Sequence, residues 1–533
     1  MNGDRTDALV APKPPWWAPG TRTLLLLGGV LVLVAGGLWG WGEVQDRRRE
    51  DTDRQRQCAP GVERRGAGGE CVGVTASGFP FWADDSQLAN VMDLIAKENR
   101  AVEQLTDRAR VTIAYLISVP VGESGAGSRS SLRHELEGAY LAQWHHNHNN
   151  DGTITDDVPL LRLLVANNGN RATHWEPVVD QLIGLADGPH PLLAVVGLGN
   201  SLDTTRQAIA RLDAHQIPMV ATVITADDMS TTGKPVQSLV RVAPTNSDEA
   251  KAAANHLRSR ARNPLIVHDA NPDDLYTRTL VQAFRGQFGD AGRGIPAETY
   301  NTKLPGVRSA FVTMMANICQ RRPDVIYYAG RGAELEELVK AMAGRPCRDL
   351  HVDIVTGDSA AHLANRLTGQ AADQELVNSL RSNITLRYTG LAHPGSWKAG
   401  LGDAFTPGSL SIDNSCEHCF RGLFPSEQQD DGRAIMAHDA MLTAITAVQY
   451  ATGQTDPRQQ DPGTYRGEMV QQWNQFHGIR AVPGASGWIS LYNGLPQHKP
   501  IPILELTPDG VRFITVTSPS ADGRPYVPSG TNP

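Results

Sequence analysis

Apolar runs of strand length alternate with amphipathic stretches of helical length through most of the chain. Runs that are apolar on both faces and separated by helices are typical of parallel sheets covered by helices. There are too many such units for one sheet of ordinary size, so the sequence predicts an α/β protein with two doubly wound parallel-sheet lobes. The predicted strands are 111–119, 160–166, 192–196, 219–224, 265–268, 325–329 and 352–356, and the predicted helices are 132–144, 175–185, 204–215, 276–288 and 333–343.

A longer apolar run precedes these units, because residues 23–42 carry no charge. A helix of that length spans about 30 Å, the thickness of the hydrocarbon core of a bilayer. Tryptophans near both ends suit the membrane interface. A cleaved signal peptide is the alternative, but its apolar region is usually shorter and no clean cleavage site follows here. The sequence therefore predicts a single N-terminal transmembrane helix over residues 21–42, after a short cytoplasmic tail of residues 1–20.

Two patterns disagree about the orientation of this anchor. Arginines are more numerous in residues 43–56 than before the span, which by the positive-inside rule favours a cytoplasmic body. The six cysteines instead fall into three local pairs, as disulfides outside the cytoplasm would. Long domains cross membranes largely regardless of flanking charge, so we expect a single-pass cell-membrane protein with its large C-terminal part extracytoplasmic. The predicted pairs are Cys58 with Cys71, Cys319 with Cys347, and Cys416 with Cys419.

Composition and pattern also suggest where the domains begin and end. The charged, Gly-rich stretch 43–70 is predicted to be a linker, and residues 521–533 a flexible tail. The predicted first lobe comprises 71–240 and 384–483, and the predicted second lobe comprises 241–383 and 484–520.

Charge and motifs exclude several classes of function. The net charge of −8 argues against a nucleic-acid partner, which favours a basic surface. Common hydrolase, nucleotide-binding and zinc-protease motifs are absent from the sequence, so it makes no positive case for an enzyme or a cofactor. The histidines of segment 144–152 are adjacent, and adjacent histidines rarely complete a metal site alone, so no metal is expected. Cys416 and Cys419 have the spacing of a redox or zinc motif, but a structural disulfide is favoured.

Several segments follow one another in an order that points to a family. They are GLGNS with the following helix, Ile-Pro and strand (197–229), RVAPTNSDEAKAAANHL (241–257), Asp269 to Tyr276, PDVIYYAG (323–330), DIVTGDS (353–359), AHDAMLTAITAV (437–448) and GASGWISLYNG (484–494). Over about residues 111–507 this order resembles the type 1 periplasmic-binding fold, in particular the substrate-binding proteins of ABC transporters for branched-chain amino acids. The resemblance implies two lobes joined by three crossovers, with a ligand trapped in the cleft between them.

The resemblance also implies ligand contacts from the first lobe. Ser201, in a glycine-rich loop, and Thr225 would offer hydroxyl groups to a ligand carboxylate, and Val223 would offer backbone contacts. Ser201 has a simpler interpretation as the N-cap of the following helix. Ala221 departs from the family, where a serine is common.

From the second lobe, the resemblance implies that Tyr276 closes over the ligand and that Asp358 pairs with a ligand ammonium group. Tyr276 has an alternative role as a core aromatic, and Asp358 as a helix cap. Arg331 lies where amino-acid binders often carry an aromatic residue. An arginine there suits an acidic or polar ligand, or forms only a surface ion pair.

These patterns favour a membrane-anchored extracytoplasmic solute-binding protein that traps a small, polar, amino-acid-like ligand. Its partners would be that ligand, the membrane through residues 23–42, and a transporter permease or a signalling protein. The alternative is a ligand-free scaffold on a degenerate periplasmic-binding fold, which the departures at Ala221 and Arg331 favour.

Overall fold

The structure is a computed structural model, which describes residues 56–82, 85–120, 129–156, 159–230, 236–257, 263–288, 294–367, 372–413, 416–453 and 461–528. The predicted membrane anchor and the cytoplasmic tail lie outside these residues. Within the described ranges, none of the helices combines the length and the apolar character that a membrane crossing requires. Residues 59–533 form one compact unit.

Seventeen strands are described in the chain. They are β1 (Gln57–Ala59), β2 (Val62–Arg65), β3 (Glu70–Thr75), β4 (Arg110–Ile117), β5 (Leu160–Asn167), β6 (Leu192–Gly197), β7 (Met219–Ala221), β8 (Leu239–Arg241), β9 (Pro264–Asp269), β10 (Ala297–Tyr300), β11 (Val325–Ala329), β12 (Val352–Thr356), β13 (Ile384–Thr389), β14 (Leu491–Tyr492), β15 (Leu495–Pro496), β16 (Ile501–Thr507) and β17 (Gly510–Thr517).

Twelve α-helices accompany them in the described part of the chain. They are α1 (Ser86–Gln104), α2 (Arg129–Asn147), α3 (Trp175–Gly184), α4 (Asp203–Ala214), α5 (Asn246–Leu257), α6 (Leu275–Phe288), α7 (Val307–Arg321), α8 (Gly332–Ala343), α9 (Gln374–Ser379), α10 (Phe420–Leu423), α11 (Arg433–Thr452) and α12 (Pro462–Trp473). The local sequence explains where several of these helices begin. Asp85 accepts hydrogen bonds from the first turn of α1, and Asp461 with Pro462 begins α12.

Two separate sheets organise the molecule, and we name the surrounding parts the first and second lobes. The first sheet contains the order β2-β3-β5-β4-β6-β7-β8, and the second has the order β10-β9-β11-β12-β13-β16-β17. Pairing is parallel from β5 through β8 and from β10 through β13, with antiparallel strands at one edge of each sheet. The prediction of parallel sheets covered by helices is therefore confirmed.

Each sheet has apolar layers on both faces, as its apolar strands require. In the first lobe, α2 and α11 pack directly against each other. Gly138 permits this contact, because a Cβ there would lie 2.0 Å from the carbonyl oxygen of Ala434. This packing brings charged residues at the start of α11 beside those of α2.

Several boundaries differ from the predicted ones. The stretch predicted as a linker contains β2 and the start of β3, which pair with each other in the first sheet. Strand β13 pairs with β12 and β16, so the chain leaves the second sheet after residue 389 rather than at 384. Ile489 and Leu491 pack in the first lobe, and the return to the second sheet begins at β16 rather than at 484.

The C-terminal segment also differs from the flexible tail that composition suggested. The backbone N–H of Tyr526 donates to the carbonyl of His498 at 2.9 Å, and Ser520 Oγ donates to the carbonyl of Arg524 at 2.7 Å. Residues 521–528 therefore lie against the body, held by hydrogen bonds that composition alone does not indicate.

The cysteine prediction agrees with the structure. Cys319 and Cys347 form a disulfide with a Cα–Cα distance of 5.5 Å, and Cys416 and Cys419 form another at 5.1 Å. Cys58 and Cys71 are also disulfide-bonded. No described cysteine is free.

Candidate functional site

The predicted ligand residues come from loops at the carboxyl ends of parallel strands in both lobes. Ser201 follows β6 and Thr225 follows β7 in the first lobe, while Arg331 follows β11 and Asp358 follows β12 in the second. Tyr276 lies in the first turn of α6. Loops at the carboxyl ends of strands are the usual binding positions in open α/β sheets. All five residues are buried.

On the first-lobe side, Ser201 joins two loops. Its Oγ accepts hydrogen bonds from the backbone N–H groups of Thr225 and Ala226, both at 3.2 Å. The N-cap of α4 is Leu202, without a side-chain cap. The N-cap interpretation of Ser201 is therefore wrong, because its hydroxyl instead holds the loop after β7 that carries Thr225.

On the second-lobe side, Asp358 lies at the centre of the polar contacts. Thr225 Oγ1 donates to Asp358 Oδ1 at 3.4 Å, which links the two lobes directly. The backbone N–H of Asp358 donates to Glu249 Oε2 at 3.0 Å. The hydroxyl of Tyr276 hydrogen-bonds the Asp358 carboxyl group and accepts from the N–H of Ser359. Asp358 is therefore held by both lobes rather than serving as a helix cap.

Arg331 makes a second link between the lobes. Its guanidinium forms a bidentate pair with Asp274, at 2.8 and 2.9 Å, and donates to the carbonyl of Ser201 at 3.1 Å. It also lies over the ring of Tyr276, 4.6 Å from the centroid. The interpretation as a surface ion pair is wrong, because the arginine is only 7% exposed. Its charge is already matched by an aspartate of the same lobe.

Val223 borders a small cavity on the first-lobe side of the cleft. The cavity has a volume of about 10 Å³, which is room for about one water molecule. Glu135 and Arg433 also line it, and they pair with each other at 3.0 Å. Sequence reasoning missed both residues. The sequence signal that could have identified them is a charged residue among apolar ones, Glu135 on α2 and Arg433 at the start of the apolar helix α11.

Burial and neighbouring charges set the ionisation of the cleft carboxyl groups. Burial raises the pKa of Asp358, against the opposing effect of Arg433 and Arg331. Burial, and then the charge of Asp358, raise the pKa of Glu249 well above its ordinary value. Burial also acts to raise the pKa of Asp274, but Arg331 outweighs it and the pKa lies below the ordinary value. The cleft therefore favours a proton, or another positive group, near Asp358 and Glu249.

A larger pocket opens at the mouth of the cleft, with a volume of about 540 Å³. Its walls include the residues directly after Ser201 in the first lobe and those directly before Asp274 in the second. This volume is within the usual range for small-molecule sites. The charged lining carries both signs and comes from Arg171, Asp203, Asp273, Lys303 and Glu334.

The known proteins that this chain is similar to are found by structure rather than by sequence. No protein-family model matches the sequence, and no curated protein matches it. A leucine-binding protein of Thermotoga maritima has a TM-score of 0.54 at 17% identity, over 76% of this chain and 98% of that one. A branched-chain amino acid transporter substrate-binding protein of Streptococcus pneumoniae, in complex with isoleucine, has a TM-score of 0.52 at 16% identity, over 77% of this chain and 99% of that one.

A solute-binding protein of an ABC transporter from R. palustris, in complex with benzoate, has a TM-score of 0.51 at 12% identity, over 79% of this chain and 98% of that one. These structural neighbours are solute-binding proteins, which are not enzymes. At this level of identity the likeness concerns the fold. The expectation from the ordered segments is thus confirmed at the level of architecture, and the chain has the type 1 periplasmic-binding fold.

Proposed function

We propose that this chain is a membrane-anchored, extracytoplasmic solute-binding protein that closes two lobes on a small polar ligand. The observation that carries the proposal is the direct polar contact across the cleft, in which Thr225 meets Asp358 and Arg331 meets the carbonyl of Ser201. Such contacts stabilise a closed state, and a ligand that bridges the same groups would shift the open–closed equilibrium in the same direction.

The chemistry of the cleft favours a ligand with groups of both signs. Asp358 offers a carboxyl group to a ligand ammonium group, and burial raises the pKa of that carboxyl despite the nearby Arg433 and Arg331, so a positive group that replaces its proton would be favoured. Arg331 and Arg433 offer guanidinium groups to a ligand acid. An amino acid, or a related small carboxylic acid, supplies both kinds of group or one of them.

Ligand entry requires the cleft to be more open than in this structure. A cavity of about 10 Å³ does not admit an amino acid. Separating the lobes breaks the hydrogen bonds across the cleft, including those of Thr225 and Arg331, and exposes these groups to a ligand. The ligand then replaces the direct contacts between lobes with contacts through itself.

The second candidate is a ligand-free scaffold. It is favoured by the same small cavity and by the pairing of Arg331 with Asp274, which leaves the arginine without need of a ligand acid. In that case the cross-cleft bonds are permanent, and the lobes act as one rigid surface for a protein partner.

The membrane anchor and the location outside the cytoplasm belong to the proposal as well. The anchor is assigned to residues 23–42, and the disulfides suit an oxidising compartment. A transporter permease or a signalling protein in the same membrane is the expected partner. Protease protection in sealed membrane vesicles tests the orientation. Protease added on the extracytoplasmic side should cut the body if the proposal is right, whereas a cytoplasmic body would be cut only by protease on the cytoplasmic side.

The test of ligand binding is a thermal-shift screen of the full chain in detergent against amino acids and small aromatic acids. A bound ligand at 100 times its dissociation constant should add about 2.7 kcal/mol to the free energy of unfolding. Asp358→Asn should abolish the shift given by an amine ligand, whereas Arg308→Ala, at an exposed arginine, should not change it. No shift with any compound would favour the scaffold.

A further inference from the structure

A second group of buried charged residues lies outside the cleft, on α2 and on the segment that leads to α11. His134 and Glu137 are one helical turn apart, so their side chains emerge on the same face of α2. Glu427 approaches from the facing segment. One ligand atom from each of these residues lies within 4.8 Å of the other two. We name His134, Glu137 and Glu427 the α2 cluster.

Two carboxylate oxygens of the cluster lack hydrogen-bond partners among the described residues. They are Oε2 of Glu137 and Oε1 of Glu427, both fully buried atoms. The Glu137 side chain is 1% exposed, and its other oxygen lies 3.7 Å from the nearest guanidinium nitrogen of Arg133. A buried carboxylate oxygen without a partner is costly. These oxygens therefore point to a positive ligand.

Carboxyl groups outnumber the basic side chains that contact them in and beside the α2 cluster. Three buried carboxyl groups, those of Glu137, Glu427 and Asp431, face one arginine and one histidine. Arg133 Nη2 donates to Glu427 Oε2 at 2.9 Å. A divalent ion bound between them would supply positive charge to these buried carboxyl groups.

The imidazole of His134 has the orientation that a metal ligand needs. Its Nδ1 lies 2.8 Å from Asp431 Oδ2 and its Nε2 lies 2.9 Å from Glu427 Oε2. A carboxylate that accepts from one ring nitrogen fixes the tautomer and leaves the other nitrogen to bind an ion. Asp431 is therefore a positioning residue, and Nε2 faces the two glutamates.

We propose that His134 Nε2, Glu137 and Glu427 form a binding site for one divalent transition-metal ion of the zinc type. Imidazole nitrogen and carboxylate oxygen are both ligands of Zn²⁺, and three protein ligands with water completing the coordination are typical of open zinc sites. Ca²⁺ and Mg²⁺ prefer oxygen ligands only and suit the site less well. Binding displaces the Nε2 proton and supplies the positive charge that the two free oxygens lack.

The ion would tie the segment before α11 to α2. That segment carries Asp431, and Arg433 follows it beside the cleft cavity. The proposal does not depend on a ligand in the cleft, because none of its three ligands lines that cavity.

The test uses the full chain in detergent, freed of metal with a chelator that is then removed. Isothermal titration with Zn²⁺ should show one tight site per chain, and elemental analysis after gel filtration should retain one zinc. Glu137→Gln and Glu427→Gln should each weaken binding by about 100-fold or more. Ca²⁺ should not compete at similar concentrations. Unchanged affinity in both variants, or equal binding of Ca²⁺, would overturn the proposal.

His145→Gln is the matched control, because it removes an exposed histidine from the same helix and leaves the cluster intact. Its affinity for Zn²⁺ should equal that of the unaltered chain. Loss of binding in this control would place the ion at the adjacent surface histidines instead. Melting temperatures measured in chelator show whether each variant folds.

A measurement on the unaltered chain keeps the proposal testable if a variant does not fold. After replacement of the ion by Cu²⁺, electron paramagnetic resonance should show hyperfine coupling from a single imidazole nitrogen. Coupling from two or more imidazoles would contradict the site, since the α2 cluster contains one histidine.

Discussion

The cleft between the lobes and the α2 cluster are both buried and charged, yet their charges are matched in different ways. In the cleft, Arg331 has a bidentate partner in Asp274 and an acceptor in the carbonyl of Ser201. In the α2 cluster, Glu137 and Glu427 each keep a carboxylate oxygen without a hydrogen bond among the described residues. Arg331 is therefore satisfied within the folded protein, whereas the free oxygens of the α2 cluster can still accept a positive ligand.

This difference separates two kinds of binding. A cleft ligand must compete with contacts that the lobes already make, so its affinity is reduced by the free energy of opening. An ion at the α2 cluster displaces only a proton and needs no separation of the lobes. Its affinity therefore depends on the three ligand residues themselves. Substitutions that leave a cleft group unmatched should therefore destabilise the protein.

The largest effect is expected from Arg331→Ala. Removing the arginine leaves Asp274 buried without a counter-charge, and such a loss costs about 3–5 kcal/mol. Urea unfolding followed by circular dichroism measures the change. Arg331→Met combined with Asp274→Asn should recover most of the loss. Arg308→Ala is the control, because its exposed pair with Glu375 should contribute less than about 1 kcal/mol. A loss equally small for Arg331→Ala would contradict the view of a matched cleft.

Ser201→Ala should have the next largest effect. It leaves the buried N–H groups of Thr225 and Ala226 without their acceptor, at a cost of about 2 kcal/mol. The same unfolding measurement applies. Thr204→Ala, which removes a less buried hydroxyl nearby, should change stability by less than about 1 kcal/mol. Equal losses in the two variants would mean that the Ser201 contacts do not hold the loop.

Glu249→Gln should increase stability, and the gain should depend on pH. Burial and the charge of Asp358 raise the pKa of Glu249, so the folded protein keeps a proton that the unfolded chain releases near its ordinary pKa of 4.5. The wild-type stability therefore falls as the pH rises above that value. The glutamine keeps an oxygen acceptor and does not ionise. Melting temperatures should favour the variant at pH 8 and converge with wild type toward pH 5; a constant difference would refute this.

Thr225→Val should have the smallest effect. It removes the 3.4 Å bond to Asp358 while keeping the shape of the side chain, and the expected loss is below about 1 kcal/mol. Small-angle scattering should nevertheless detect a larger fraction of open molecules, because one of the side-chain bonds across the cleft is gone. An unchanged scattering profile would indicate that the remaining contacts between the lobes, among them those of Arg331 and Asn365, are enough to keep them closed.

Local pattern was enough to predict seven of the ten described strands that pair in parallel, but none of the short antiparallel ones at the sheet edges. The predicted strand 352–356 coincides with β12, and 325–329 coincides with β11. Helix α1 and helix α7 were not predicted, although both are long. Short antiparallel strands such as β2 were interpreted as linker, because charged residues dominate them. The pattern of a single strand also does not show which other strand it pairs with.

The candidate cleft residues came from an ordered set of segments rather than from any one motif. The structure brings Ser201, Thr225, Tyr276 and Asp358 into contact, directly or through a neighbouring residue, whereas their ligand remains a prediction. Glu135 and Arg433 could not be found in the same way. They are 298 positions apart, and only the packing of α2 against α11 makes them partners.

The sequence by itself determined the alternation of strands and helices and the local pairing of cysteines, because both depend on periodicity and spacing over a few residues. Only the tertiary structure decided which buried charges are matched. Arg331 pairs with Asp274, whereas Glu137 keeps a carboxyl oxygen without a hydrogen bond among the described residues, and neither fact can be deduced from the residue type. The reason is physical: the cost of a buried charge depends on partners that folding brings from distant parts of the chain.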